Sequence, residues 1–277
     1  MAGAPFAASK LDAYTSLIGR SPDVVMWYQD WADAGVREFS PKRADAVRSR
    51  GAVPMLTWDP WDRTRPDRNP FSLTAIVAGT HDTYIRRFGN AVADWGDEVW
   101  LRFAHEMNGD WYPWGDGVNG NTPASFVRAW RHIVDLFRAE GARNVRWVWS
   151  PNVAYTGGPP LGPLYPGDEY VDLVAMDGYN WGDEQWRPAD EIFLETYAEL
   201  CQLTSRPMVI AEIGSSEDGG DKARWIARAF AAIRSQFPAV KAVIWFNEDK
   251  ERDWRVNSSA ESLTAFRRAI SDAAARP

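Results

Sequence analysis

Short apolar runs of β-forming residues alternate with amphipathic helical stretches along almost the whole chain, and no other feature limits the fold so strongly. The runs are DVVMWY (23–28), AVPMLTW (52–58), EVWLRF (98–103), NVRWVW (144–149), VDLVAM (171–176), PMVIAE (207–212) and AVIWF (242–246). Between most of them lie helical patterns, clearest over 83–96, 123–141, 189–203, 221–237 and 262–275. Strands that alternate with helices build βαβ crossovers and a parallel sheet. Seven clear strands in 277 residues fit an α/β fold of the (β/α)8 TIM-barrel kind better than an open doubly wound sheet. The first barrel strand has only GAPF (3–6) to draw on. No stretch resembles a linker and no repeat stands out, so residues 1–277 are expected to form one domain.

Charge and side-chain inventory narrow the partners. A net charge of -7 disfavours nucleic acid and anionic lipid, both of which need a basic footprint. No run approaches the roughly 18 apolar residues of a membrane span. The first residues, MAGAPFAASK, lack the apolar core of a signal peptide, so an exported form would have had its leader removed. Cys201 is the single cysteine and, in YAELCQL, is expected to be buried filler rather than a nucleophile. His81, His105 and His132 are too few and scattered for a metal site, and His81 and His132 suit capping or structural roles. His105-Glu106 does not open a zinc-protease motif, because Gly109 stands where the second histidine belongs. No P-loop, G-x-G-x-x-G or G-x-S-x-G follows a strand, and Gly219-Gly220 suits a turn before the helix at 221.

Barrel active sites lie at the C-terminal ends of the strands. There this chain places Trp27-Tyr28-Gln29-Asp30-Trp31, Trp58-Asp59-Pro60-Trp61, His105-Glu106-Met107-Asn108-Gly109, Trp149-Ser150-Pro151-Asn152, Asp177-Gly178-Tyr179-Asn180-Trp181, Glu212 and Trp245-Phe246-Asn247-Glu248. The chain holds 16 tryptophans, more than a core needs, and indole faces interspersed with acids and amides suit a sugar. Glu106 and Glu212 are separated by three βα units of about 35 residues each, which sets them on facing sides of one mouth. Glycoside hydrolysis uses such a pair, one carboxyl to protonate the leaving oxygen and one to attack or to activate water. Asp30, Asp59, Asp177 and Glu248 also sit near strand ends, and spacing alone does not rank the six acids. Local context favours Glu212, embedded in apolar sequence, and Glu106, near Trp111 and Trp114, where desolvation would raise its pKa.

These residues also carry a family resemblance. RFAHEMNGDWYPWG (102–115) resembles the signature of glycoside hydrolase family 26, retaining (β/α)8 enzymes with catalytic acids on strands 4 and 7. PMVIAEIGSS (207–216) resembles the nucleophile strand, DGYNW (177–181) and VIWFN (243–247) later strand ends, and PLYPGDEYVD (163–172) the connection into strand 6. The resemblance runs over about residues 20–257. It implies that Glu106 is the general acid/base and Glu212 the nucleophile, with their carboxyls about 5–5.5 Å apart, the spacing for retention. It further implies that His105 hydrogen-bonds within the site, Trp111 shapes the pocket around the acid, and Tyr179 holds the nucleophile by its hydroxyl. Trp245 is expected to floor the reacting sugar's subsite and Trp58 to pack near the same sugar.

The resulting expectation is a secreted, monomeric endo-β-1,4-glycanase acting on a plant-type polysaccharide, first of all β-mannan, without cofactor or metal. The family's mannanase pattern has a Trp-His pair followed by Asn-Pro at the end of strand 3, whereas this chain has Trp58-Asp59-Pro60-Trp61. An endo-β-1,3-1,4-glucanase with the same catalytic pair is therefore the alternative within the family, beside β-1,3-xylan. From another class, a carbohydrate-binding barrel without turnover would share the tryptophans but would have no use for the two glutamates and Tyr179.

Overall fold

The computed structural model describes residues 7–65 and 68–274. Seven parallel strands form one sheet in sequence order: β1 (Val24–Asp30), β2 (Val53–Asp59), β3 (Val99–Phe103), β4 (Val145–Trp149), β5 (Leu173–Asn180), β6 (Met208–Ser215) and β7 (Val240–Trp245). The sheet curls until β7 returns beside β1, with Cα atoms within 8 Å. GAPF (3–6), expected to supply the first strand, lies outside the described residues. Helices α1 (Ala8–Ile18), α2 (Pro41–Arg48), α3 (Leu73–Val77), α4 (Asp82–Trp95), α5 (Pro123–Ala139), α6 (Ala189–Leu203), α7 (Lys222–Gln236) and α8 (Ala260–Ala274) connect the strands. The link from β4 to β5 contains only a short 3-10 turn, Gly162–Leu164. Among the described residues no helix is long and apolar enough to cross a membrane.

Local chemistry sets the helix boundaries. Thr122 begins α5 with a capping box, its side chain accepting from the Ser125 N–H while the Ser125 hydroxyl accepts from the Thr122 N–H. Ser40, Ser72 and Asp221 cap α2, α3 and α7 in the same sense. His81 stands at the start of α4 with Nε2 3.0 Å from the Pro70 carbonyl, and Nε2 of His132 lies 2.7 Å from Asp82. Both histidines serve the scaffold. Cys201 is a correction: it is exposed on α6, because it lies on the face turned away from the sheet, next to the buried Leu200.

Strand alternation splits the core into two layers. Val24, Met26, Met55, Val148, Ala175, Val209, Ala211, Ile244 and Phe246 point into the barrel and meet Trp254 there. Their neighbours along the strands, among them Trp27, Leu56, Trp58, Phe103, Trp149 and Trp245, point outward and pack under the helices. That outer cluster runs from Leu11 to Ala269 without a break. Side chains of the inward set that reach the C-terminal rim occupy the mouth, and parity thus selects which residues can form a site.

Candidate active site

The inward parity of β1, β2, β3 and β5 brings Tyr28, Thr57, Asp59, Arg102, Asp177 and Tyr179 toward the lumen. On β6 a bulge intervenes. Met176 pairs with Ile210 but Asp177 pairs with Glu212, so one residue of β6 is unmatched and both Ala211 and Glu212 face inward. The bulge, rather than simple alternation, aims Glu212 into the barrel.

Glu106 arrives by a different distortion. The chain leaves β3 through Ala104 (φ 45°) and Glu106 (φ 52°), left-handed conformations that side chains with a Cβ resist. The turn is held by the Glu106 N–H on the Ser150 carbonyl (2.7 Å) and by Trp114 Nε1 on the His105 carbonyl (2.7 Å). Gly109 is required here, since a Cβ would lie 2.4 Å from the Trp111 ring that covers it. Trp111 Nε1 donates to Glu106 Oε2 at 2.6 Å.

Glu106 and Glu212 are both nearly buried and near enough to repel each other. Burial, reinforced by the charge of Glu212, pushes the Glu106 carboxyl up to about 8. Burial opposes ionisation of Glu212 too, but the Arg102 guanidinium and the hydroxyls of Tyr179 and Tyr28 outweigh it and hold this carboxyl below its ordinary value. Arg102 Nη2 and Tyr28 OH (2.5 Å) both donate to Glu212 Oε1, and Tyr179 OH donates to Oε2. Arg102 is itself fully buried, its other nitrogens donating to Asp177 Oδ2 (2.7 Å) and Thr57 Oγ1 (2.9 Å). Burial, followed by the charge of Glu212, keeps both phenols protonated.

His105 lies between Asp59, 3.1 Å from its Nδ1, and the Tyr112 hydroxyl, 3.2 Å from its Nε2. Burial, then the charge of Arg102, lowers its pKa far enough to keep the ring neutral. Burial raises Asp59 to about 7. Among the described residues no cluster of histidine, cysteine and acids is arranged to hold a metal ion.

Two expected site residues are elsewhere. Trp58 is fully buried on the outward face of β2, against Phe88 of α4 and Phe137 of α5, with Nε1 on the Tyr84 hydroxyl. Trp245 faces outward from β7, against Trp225 of α7 and Phe266 of α8, with Nε1 on the Trp254 carbonyl. Neither touches the mouth, because the residues on inward parity are Thr57 and Asp59 on β2, and Ile244 and Phe246 beside Trp245. Glu106, Glu212, His105, Trp111 and Tyr179 do come together there. Sequence inspection missed Tyr28 and Arg102 as partners of Glu212. Arg102 had a legible signal, since an arginine inside EVWLRF, a strand covered on both faces, must find acids.

The profile of Glycosyl hydrolase family 26 matches residues 85–261. Endoglucanase H of Acetivibrio thermocellus is 42% identical over 97% of this chain, which spans 30% of that protein. A mannan endo-1,4-beta-mannosidase of Bacillus subtilis is 30% identical over 61% of this chain, and the aligned part is 44% of its length. Among solved structures, the Bacillus subtilis mannanase BCman superposes with a TM-score of 0.70 over 95% of this chain and 82% of its own, at 21% identity. That likeness fixes the fold as the curled (β/α)8 type. With a profile match over more than half its residues, the chain belongs to glycosyl hydrolase family 26.

Proposed function

We propose that this chain is a retaining endo-β-glycanase in which Glu106 is the acid/base and Glu212 the nucleophile. The observation that carries this is the opposed tuning of two neighbouring buried carboxyls, one driven up to about 8 and the other held below its ordinary value. At neutral pH the pair therefore holds a proton to give beside a carboxylate ready to attack.

The reaction follows in two displacements. Glu212 attacks the anomeric carbon while Glu106 gives its proton to the glycosidic oxygen, and the C–O bond to the leaving sugar breaks. In the glycosyl-enzyme the charge of Glu212 is gone. The repulsion that raised Glu106 goes with it, and Glu106, now a carboxylate, takes a proton from the water that displaces Glu212. Arg102, Tyr28 and Tyr179 keep Glu212 ionised and correctly aimed at the start, and Tyr28 and Tyr179 stay protonated throughout. His105, held neutral between Asp59 and Tyr112, would orient a hydroxyl of the sugar, and Trp111 fixes the carboxyl of Glu106.

For the substrate, mannan was the first expectation, and the relatives named mannan endo-1,4-beta-mannosidase support it. Two observations favour the second reading, a mixed-linkage β-glucan. The relative aligned over nearly the whole chain is named an endoglucanase, and Asp59 replaces the histidine of the mannanase pattern in direct contact with His105. A polysaccharide does not enter the cytoplasm, so the proposal includes action outside the cell; it also includes a monomer, since one chain carries both carboxyls.

Proton and carbon NMR of the products from a panel of mannan, lichenan, barley β-glucan and β-1,3-xylan tests this. Newly formed reducing ends should appear first as the β-anomer, and the polymer cleaved names the backbone. Initial release of the α-anomer overturns double displacement. Glu106→Gln should lose roughly 10²–10⁴-fold on such polymers and much less on dinitrophenyl glycosides, whose leaving group needs no proton. An equal loss on both overturns the assignment of Glu106.

A further inference from the structure

Exposed large aromatics are rare among residues 7–65 and 68–274, and where they lie carries information. Among the described residues the exposed large hydrophobic side chains are Trp111, Tyr155, Trp181 and Leu194, at 44%, 38%, 41% and 53%. The first three stand at the C-terminal rim of the strands and only Leu194, on α6, is elsewhere. Trp181 leans on Tyr179 and Trp254, the side of the mouth that holds Glu212. Trp111 and Tyr155 form a separate pair, ring centroids 5.7 Å apart, on the side that holds Glu106.

Tyr155 is not a loose surface ring. Its hydroxyl donates to the Asn108 carbonyl at 2.7 Å, two residues from Glu106. Its ring covers Gly158, where a Cβ would come within 3.0 Å of it. Asn108 in turn donates from Nδ2 to the Asn152 carbonyl (2.9 Å) and accepts at Oδ1 from the Asn152 N–H (2.8 Å). The β4–β5 segment that presents Tyr155 is therefore locked to the segment that carries the proton donor. A rigid ring so placed, more than a third exposed, is an aromatic surface awaiting a partner.

We propose that Tyr155, with Trp111, forms the stacking platform for the sugar on the leaving-group side of the scissile bond. The proposal rests on the glycosidase reading above: the group that protonates the leaving oxygen borders the leaving sugar, and Trp111 holds that group directly. The occupant is a pyranose unit of the β-glycan chain, bound through its C–H face.

The test compares wild type with Tyr155→Ala and Tyr155→Phe. One substrate is an oligosaccharide of the backbone that wild type cleaves, and the other is a glycosyl fluoride of the same sugars, whose leaving group is too small to reach the platform. Tyr155→Ala should lose roughly tenfold in kcat/KM on the oligosaccharide, as loss of an aromatic anchor at a binding surface does, and about twofold or less on the glycosyl fluoride. Tyr155→Phe keeps the ring and should stay near wild type on both. Equal losses on both substrates, or a Phe variant as poor as Ala, would show a strut for the Asn108 segment and overturn the platform. Calorimetric titration in a Glu212→Ala background, with oligosaccharides of mannan and of mixed-linkage β-glucan, gives a readout free of turnover. Affinity unchanged by Tyr155→Ala overturns the platform, whereas weakened affinity beside a wild type that cleaves nothing keeps the platform and overturns only the glycosidase reading.

Discussion

Glu106 and Glu212 experience similar burial and differ in what surrounds the charge. Three donors converge on Glu212, from Arg102, Tyr28 and Tyr179, while Glu106 has one, Trp111 Nε1. The pH profile of kcat/KM should accordingly be bell-shaped, with an acid limb below the ordinary carboxylate value from Glu212 and a basic limb near 8 from Glu106. The same shift acts on stability. A carboxyl raised from 4.5 to about 8 contributes stability that is full below 4.5 and is lost as pH climbs through 8. Glu106→Gln, which does not titrate, should gain in Tm relative to wild type as pH is raised from about 5 to about 9. A Tm difference independent of pH would contradict the raised value. Arg102→Leu should destabilise by about 3–5 kcal/mol in urea unfolding, because Glu212 and Asp177 would remain buried without their cation. The acids and the upward shift of Glu106 were legible from position and context, whereas the lowering of Glu212 was not, since its causes come from β1, β3 and β5.

At the scale of elements, two backbone irregularities build the site: the bulge in β6 and the left-handed exit from β3. A β-strand covered on both faces has no alternation of polar and apolar residues, so its sequence does not reveal which side chains face inward. This is why Trp58 and Trp245 looked like cleft residues and are instead wedges between strands and helices. Each should therefore behave as a core residue. Trp245→Ala should lose about 3–5 kcal/mol of stability, with KM unchanged for the protein that remains folded. A shift in KM without loss of stability would return Trp245 to the cleft. The segment after β7 is fastened similarly by burial: the Lys222 ammonium donates to the carbonyls of Asp253 (2.9 Å) and Arg255 (2.9 Å) and to the Ser258 hydroxyl (2.8 Å). Trp254 is thereby fixed beneath Tyr179, which it touches at a centroid distance of 4.8 Å.

For the molecule as a whole, the outer hydrophobic cluster joins every helix-bearing segment from Leu11 to Ala269, with no seam along which two halves could part. Thermal unfolding should be one transition, with calorimetric and van't Hoff enthalpies in agreement, and two resolved transitions would contradict a single domain. The order of strands and helices was written in the periodicity of the chain, since hydrophobic spacing is a local property and parallel pairing of successive strands follows from it. Strand-end position placed the two glutamates among six candidate acids, and local sequence context with the family resemblance singled them out. Which rings face the mouth, which fill the core, and that Arg102 and Tyr28 join the expected Tyr179 on Glu212 were decided only when the sheet curled. Those outcomes depend on the face each residue presents and on neighbours more than 100 positions away, such as Arg102 from Glu212.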